Sequence, residues 1–115
     1  MFTADMDTQD LQRGSAEMIL LSLLESRPRH GYELAKLVES QSDNLLQFNV
    51  ASIYPMLYRL ERKKLVEGRW VEKANERRRR FYRLTPLGRR TLADQRRTWQ
   101  EFVKALNRIT GFTHA

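Results

Sequence analysis

A chain of 115 residues is long enough for one domain with its own core and too short for two ordinary domains. Apolar residues make up 41% and charged residues 30%, with only five glycines and three prolines, which excludes fibrous and intrinsically disordered classes. The formal net charge of +7 makes the protein basic, and the position of that charge along the chain is more informative than its sum.

The cysteine and histidine content excludes several kinds of site. There is no cysteine, which removes disulfides, thiol catalysis and thiolate metal ligands. His30 and His114 are too far apart for a local metal-ligand motif, so neither a metal nor another cofactor is expected. No apolar run approaches the roughly 20 residues that span a bilayer. The first ten residues carry three aspartates and no base, unlike a signal peptide, so we expect a cytoplasmic protein without a membrane partner.

The positive charge is concentrated in one part of the chain. From Arg59 to Arg97 there are fifteen Lys or Arg against five Asp or Glu, and the rest of the chain has six against nine. A concentrated basic surface suggests a polyanion, with nucleic acid first and a membrane surface second. An ordinary solvated face is the alternative explanation.

The first half of the chain predicts a loose arm and two helices. Residues 1 to 10 lack periodicity. Ser15 can cap a helix that continues through the apolar "MILLSLLES" and ends before Pro28. The segment "RPRHGYELAKLVES" then predicts a turn and a second helix with an apolar stripe, ending near Gln41.

A third helix is predicted in "NVASIYPMLYRLERKKL" despite its proline. Proline costs roughly 3 kcal/mol in a helix interior but almost nothing in the first turn, where the N–H groups have no partner. With Ser52 as the N-cap, Pro55 takes the third helical position, and the chain before Ser52 is expected to be non-helical. The apolar face comprises Ile53, Met56, Leu57 and Leu60.

The second half predicts a hairpin and a long helix. After Leu65 the pattern shifts towards a period of two, in "LVEGRWVEK" and "RRRRFYRLT" on either side of "ANE". Thr85 can cap a final helix with Pro86 at its first position, running to about Thr110 before Gly111. Its apolar residues follow a short heptad seam, typical of a dimerisation helix: Leu92, Trp99, Phe102, Leu106 and Ile109.

These elements in this order predict a mainly α (α+β) fold. It is a winged helix-turn-helix with a two-stranded β-hairpin wing and a long C-terminal dimerisation helix. The expected division is an arm at 1–10, a DNA-binding domain at 11–85, the dimerisation helix at 86–110 and a tail at 111–115.

The exposed face of the third helix is the first candidate DNA contact. Arginine reaches guanine edges, tyrosine and serine bond phosphate or base, and a helix N-terminus favours phosphate. An amphipathic core helix with an ordinary polar face is the alternative. The candidate residues are Ser52, Tyr54, Pro55, Tyr58, Arg59 and Arg62.

Four consecutive arginines in the hairpin are the second candidate. Strand alternation sends Arg77 and Arg79 to one face and Arg78 and Arg80 to the other. We expect Arg77 and Arg78, at the tip, to touch DNA and one of the later two to pair with a carboxylate of the domain. A solubilising turn is the alternative.

Three segments together resemble the PadR-like family of bacterial transcriptional regulators. They are "LQRGSAEMILLSLLESRPRHGYELAKLVE", "VASIYPMLYRLERKKLVEG" and "ERRRRFYRLTPLGRRTL", and the match runs from about Leu11 to Ile109. The resemblance implies a homodimeric repressor that binds an inverted repeat in a promoter and is released by a small molecule.

By position, the resemblance also implies residue roles. Ser52, Tyr54 and Pro55 fall on the recognition-helix motif, residues 77–81 on the wing and residues 92–109 on the dimer helix. In some relatives flat aromatic ligands lie between tryptophans at the dimer interface, which makes Trp99 a candidate ligand contact, with core packing as the alternative.

Ala51 departs from the pattern of the family, and His30 could be mistaken for a catalytic residue. Ala51 stands where many relatives have glycine, which narrows the options of the turn before the helix. His30, in "HGYEL", is expected to cap or pack rather than to catalyse.

A protein- or RNA-binding module and an enzyme are the two alternatives to a DNA-binding regulator. A winged-helix module that binds a protein or RNA through its basic face is the runner-up. An enzyme is disfavoured because the sequence has no cysteine, phosphate-binding glycine loop or paired-carboxylate motif. We predict a sequence-specific regulator of transcription without enzyme activity.

Overall fold

In the computed structural model, which describes residues 8 to 112, the chain forms four helices and three strands. The strands make one antiparallel sheet in which β3 lies between β1 and β2. The predicted winged helix-turn-helix with a long final helix is confirmed. The elements are α1 (Thr8–Leu23), β1 (Arg29–His30), α2 (Gly31–Gln41), α3 (Val50–Arg62), β2 (Val66–Val71), β3 (Arg79–Leu84) and α4 (Pro86–Thr110).

The first helix starts earlier than the sequence predicted. It begins at Thr8, with Asp10 in its first turn, where a negative charge suits the helix dipole. Ser15 is an interior residue whose hydroxyl donates to the Leu11 carbonyl at 2.9 Å, so its predicted role as the cap is wrong. Of the predicted arm, residues 8 to 10 are helical and residues 1 to 7 lie outside the described part.

The third helix also starts earlier. It begins at Val50 and is capped by Asn49, whose side-chain oxygen accepts from the Ala51 N–H at 2.8 Å. Pro55 is therefore at the sixth helical position, and its missing N–H leaves the Ala51 carbonyl without its usual helical partner. The prediction of Ser52 as the cap is wrong. Since Ala51 and Pro55 are both exposed, water can bond that carbonyl and offset part of the cost.

The start of α2 explains His30. Its Nδ1 accepts from the Glu33 N–H at 3.2 Å, which confirms the expected capping role. His30 and Arg29 also form the short strand β1, which pairs with Phe81 and Tyr82 of β3 and was not predicted from the sequence.

The core lies between the helices and the inner face of the sheet. Burying a leucine-sized side chain contributes about 1.5–3 kcal/mol, so this cluster supplies most of the driving force for folding. Leu92 of α4 belongs to it, with 1% of its surface exposed. The largest side chains in the core with almost no exposed surface are Leu20, Leu21, Leu24, Leu34, Ile53, Leu57, Val66 and Leu92.

The long helix α4 is capped at both ends as predicted. The Thr85 hydroxyl accepts from the Gly88 N–H at 3.0 Å, Pro86 is the first residue, and Gly111 ends the helix with φ 73°. Its first half is tied to the turn that follows α1 by the ion pair between Arg96 and Glu25, at 2.8 Å. The bonded Arg96 guanidinium lowers the pKa of the Glu25 carboxyl.

Candidate nucleic-acid interface

The predicted recognition face of α3 is exposed along its whole length. Tyr54 and Tyr58 have 43% and 61% of their surface accessible. The Arg62 guanidinium lies 5.9 Å from the Tyr58 ring, a cation–π distance that keeps both side chains on the outer face. Ser52, Pro55 and Arg59 are also exposed, so all six predicted residues of this helix are accessible to a ligand.

The Tyr54 ring packs against the backbone of Gly31, the first residue of α2. A Cβ at Gly31 would fall 2.7 Å from the Tyr54 ring, so the absence of a side chain lets the ring lie against the start of α2. Through this contact the motifs "HGYEL" and "SIYP" pack against each other. The sequence showed both motifs but not that they meet.

The segment that leads into α3 is fixed to α1 through one amide. Gln12 donates from Nε2 to the Gln47 carbonyl at 2.8 Å and accepts at Oε1 from the Gln47 N–H at 3.1 Å. Gln12 thus bonds both backbone groups of Gln47, as a paired strand would, and sets the position of the N-terminal end of the recognition helix.

Only two of the four wing arginines lie in a strand: Arg79 and Arg80 begin β3, whereas residues 77 and 78 precede it, so strand alternation applies to the later two alone. Arg78 and Arg80 lie over Trp70, with guanidinium carbons 4.6 and 5.9 Å from the ring centroid. Arg77 and Arg79 also line a second cavity, together with His30 and Phe81. Sequence reasoning missed Trp70, although its position opposite Arg80 in the alternating strands could have indicated it.

One wing arginine pairs with the domain, as expected. Arg80 Nη2 donates to Glu61 Oε2 of α3 at 2.6 Å. Arg78 has only a long contact with Glu72, at 4.0 Å between two exposed side chains, which contributes little.

The other candidate arginines keep their positive charge unneutralised. Within residues 8–112, no carboxylate forms an ion pair with Arg59, Arg62, Arg77 or Arg79. Unpaired guanidiniums raise the local positive potential and attract a polyanion. The helix and the wing therefore offer free cations on neighbouring surfaces.

A cleft of about 440 Å³ joins these two surfaces. Aromatic rings and guanidiniums face each other across it, the combination that nucleic-acid-binding surfaces use for phosphates and sugars. Its lining residues are Tyr32, Tyr54, Trp70, Arg77, Arg78, Arg79 and Arg80.

Comparison with known proteins identifies the family. The family model described as the PadR-like family of transcriptional regulators matches residues 20–94. The chain belongs to the PadR-like family. Its members are regulators of transcription and not enzymes, which confirms that part of the prediction.

Solved structures of PadR-like and related regulators share this fold. A transcriptional regulator from Clostridium thermocellum is 29% identical, with a TM-score of 0.78 over 86% of this chain and 96% of that one. A PadR family regulator from Eggerthella lenta is 25% identical, with a TM-score of 0.80 over 92% and 90% of the two chains. PadR from Bacillus subtilis, solved in complex with operator DNA, is 21% identical, with a TM-score of 0.64 over 70% and 45%.

In this PadR-like chain, the second half of α4 has an exposed apolar surface. Phe102 and Ile109 are 53% and 83% exposed, and Trp99 packs edge-to-face on Phe102 at 5.9 Å between ring centroids. Leu106 is half-buried. Leu92, the first residue of the predicted seam, is instead enclosed in the core of its own chain, so it has almost no surface for a partner.

Among the helices of residues 8–112, none has both the length and the apolar character that crossing a bilayer requires.

Proposed function

We propose that the chain is a homodimeric repressor that binds an inverted-repeat operator. In each subunit, α3 enters a major groove and the wing rests on the flanking backbone. The observation that carries the proposal is the pair of adjacent surfaces with free guanidiniums, Arg59 and Arg62 on α3 and Arg77 and Arg79 on the wing. The operator complex of the Bacillus subtilis relative supports the same use of the fold.

The residues on α3 divide into two roles in this proposal. Arg59 and Arg62 supply base or phosphate contacts from the exposed face, while Tyr58 is a further polar contact. Ser52 and Tyr54 bond phosphate near the N-terminal end, where the helix dipole favours negative charge. Pro55, which is exposed beside Tyr54, is the third proposed contact at this end of the helix.

The wing supplies affinity rather than sequence choice. Arg77, Arg78 and Arg79 neutralise phosphates, and each neutralised phosphate steepens the salt dependence of binding. Trp70 stacks under Arg78 at 4.6 Å and orients its guanidinium.

The dimer forms through the second half of α4. Exposed apolar residues on one helix face favour association with a second copy, which would remove them from water. Phe102, Ile109, Trp99 and Leu106 are the proposed contacts, and Leu92 contributes by anchoring α4 to its own domain.

A small aromatic ligand that inserts beside Trp99 would release the DNA in this proposal. The support is the position of Trp99 at the edge of the proposed interface, half-buried and in contact with Phe102. A protein that binds a promoter in a bacterial cell would act in the cytoplasm.

The proposal is tested by a gel shift with the promoter of its own gene. We expect a discrete complex at moderate salt that survives an excess of unrelated duplex and disappears when one half of the repeat is scrambled. A protein that binds every duplex equally, or binds none, would favour a winged-helix module for protein or RNA.

A further inference from the structure

Arg80 is the least exposed of the four wing arginines, since Arg77, Arg78 and Arg79 are all exposed and Arg80 is half-buried. Its Nη2 bonds Glu61 Oε2 at 2.6 Å, and the side chains of these two residues are only 32% and 28% exposed. The guanidinium carbon lies 5.9 Å from the Trp70 ring and 5.7 Å from the Tyr82 ring. Its Nε is buried without a hydrogen-bond partner. A guanidinium held by these contacts is less free than an exposed one to follow a phosphate.

The space that Arg80 occupies exists because residue 68 is glycine. A Cβ on Gly68 would fall 2.4 Å from Arg80 Nε and 2.7 Å from Nη2. The Gly68 N–H also donates to Glu61 Oε2, at 3.3 Å. One carboxylate oxygen on α3 therefore holds both strands of the wing, β2 through Gly68 and β3 through Arg80.

The Glu61 carboxylate would not itself favour DNA binding, so its position beside the wing needs another explanation. A two-stranded ribbon is marginally stable alone and needs packing against the domain to fix its direction. A negative charge close to a phosphate-binding surface repels the phosphate unless it is matched by a cation. Glu61 is matched by Arg80, and the pair connects the recognition helix to the wing.

We propose that Arg80 is a positioning residue and not a DNA contact. With Glu61 and Gly68 it sets the angle between α3 and the wing, so that both reach the duplex at once. The other wing arginines, at residues 77 to 79, make the contacts with the duplex. This inference rests on the proposed function and deepens it, because it gives a positioning role to Arg80, one of the four wing arginines that the sequence offered as candidate DNA contacts.

The Glu61→Ala variant distinguishes the two roles by the sign of its effect. If Arg80 positions the wing, losing its partner weakens operator binding about tenfold, the scale of a charge-assisted hydrogen bond, although a negative charge has been removed. If Arg80 contacts DNA, the same variant frees the guanidinium and strengthens binding. Unchanged or tighter binding overturns the proposal.

The salt dependence gives a second, independent test. The Arg80→Gln variant is expected to weaken binding while the slope of log K against log salt stays that of the unsubstituted protein. The matched control Arg77→Gln is expected to lose about 0.9 from the slope, because one phosphate contact is gone. A slope loss of that size for Arg80→Gln would assign it to the phosphate backbone and overturn the positioning role.

Two further variants test the arrangement itself. Gly68→Ala leaves every charge in place but displaces the Arg80 guanidinium, so it should weaken binding as much as Arg80→Gln does. The double variant Glu61→Ala with Arg80→Gln should bind no more weakly than the weaker single variant, because both changes remove one interaction. Full affinity for Gly68→Ala, or additive losses in the double variant, would contradict the proposal.

Hydrogen exchange without DNA separates this proposal from the proposed function. The amides of residues 66–84 should exchange faster in Arg80→Gln and Glu61→Ala than in Arg77→Gln, at equal helix content by circular dichroism. If the unsubstituted protein bound no promoter DNA, the proposed function would fail and this comparison would still decide the positioning role. Equal exchange in all three variants would overturn it.

Discussion

The α-carbon of Gly88, in the first turn of α4, lies directly against the carbonyl of Leu65 at the start of the wing. A Cβ on Gly88 would fall 2.0 Å from that oxygen. The same carbonyl accepts from the Thr85 N–H at 3.1 Å, so the junction of β3 and α4 closes onto the turn between α3 and β2. In the "TPLG" motif, Thr85 caps α4, Pro86 is its first residue, and Gly88 allows the close approach to Leu65.

Substituting Gly88 is expected to destabilise the fold. Gly88→Ala places a methyl group against backbone that cannot move aside, and we expect a loss of about 3 kcal/mol or more in the free energy of unfolding. The control is Gly14→Ala in α1, where nothing lies within 4 Å and alanine should stabilise the helix by up to about 1 kcal/mol. Urea denaturation measures both, and equal effects for the two variants would refute the packing role.

The stability of the protein should fall at mildly acidic pH through His30. Burial, with the nearby Arg79 and Arg27, lowers the pKa of His30, and the smaller opposing effect comes from Glu33. The folded state therefore binds a proton less readily than the unfolded chain. The contribution of His30 to stability is complete above the unfolded pKa of about 6.5 and is lost as the pH falls towards the lower folded pKa.

The variant His30→Asn tests this sign. Asparagine can accept the Glu33 N–H at the helix start but does not titrate in this range. We expect the melting temperature of the unsubstituted protein to fall more than that of the variant when the pH is lowered from 7 to 5. A difference that stays constant, or that favours histidine at low pH, would contradict it.

Dimerisation should depend on the apolar end of α4. Replacing Ile109, which is 83% exposed, by aspartate should move the monomer–dimer equilibrium to monomer, because a charge would have to enter the apolar interface. The matched control is Leu45→Asp in the loop between α2 and α3, where leucine is 65% exposed and away from α4. Sedimentation velocity at several concentrations separates the two, and a dimeric Ile109→Asp protein would rule out this interface.

The contact between Tyr54 and Gly31 should matter for DNA binding more than for folding. Gly31→Ala would push the Tyr54 ring out of its place, so operator affinity should fall about tenfold, on the scale of one lost hydrogen bond. Tyr54→Phe keeps the ring and loses only the hydroxyl, so it reports whether the hydroxyl itself bonds the duplex. Gly31→Ala with normal affinity would show that the ring position is irrelevant to binding.

Periodicity predicted the elements of this fold well where they are long. The hairpin followed from the change of period after Leu65, and α4 followed from Thr85, Pro86 and Gly111, whose capping chemistry is local. β1 was missed because two residues carry no periodic signal. The start of α3 was misplaced because Asn49 and Ser52 are both good caps, and only the fold decides between them.

The candidate site was predicted residue by residue but not as an arrangement. Exposed side chains such as Arg59 follow from the helical pattern alone. The contacts that give Trp70, Glu61 and Gly31 their roles join residues far apart in the chain, so no local pattern reveals them. Leu92 was predicted from the heptad pattern to contact a second subunit. It is instead buried in the core of its own chain, because the heptad pattern does not show which surface an apolar residue packs against.

Hydroxyl-radical footprinting on the promoter of its own gene tests the central claim most directly. Two subunits related by a two-fold axis should protect two patches about one helical turn, or 10–10.5 base pairs, apart, with weaker protection at the flanks where the wings lie. The Ile109→Asp protein should lose both patches together. A single protected patch, or protection without two-fold symmetry, would contradict the account.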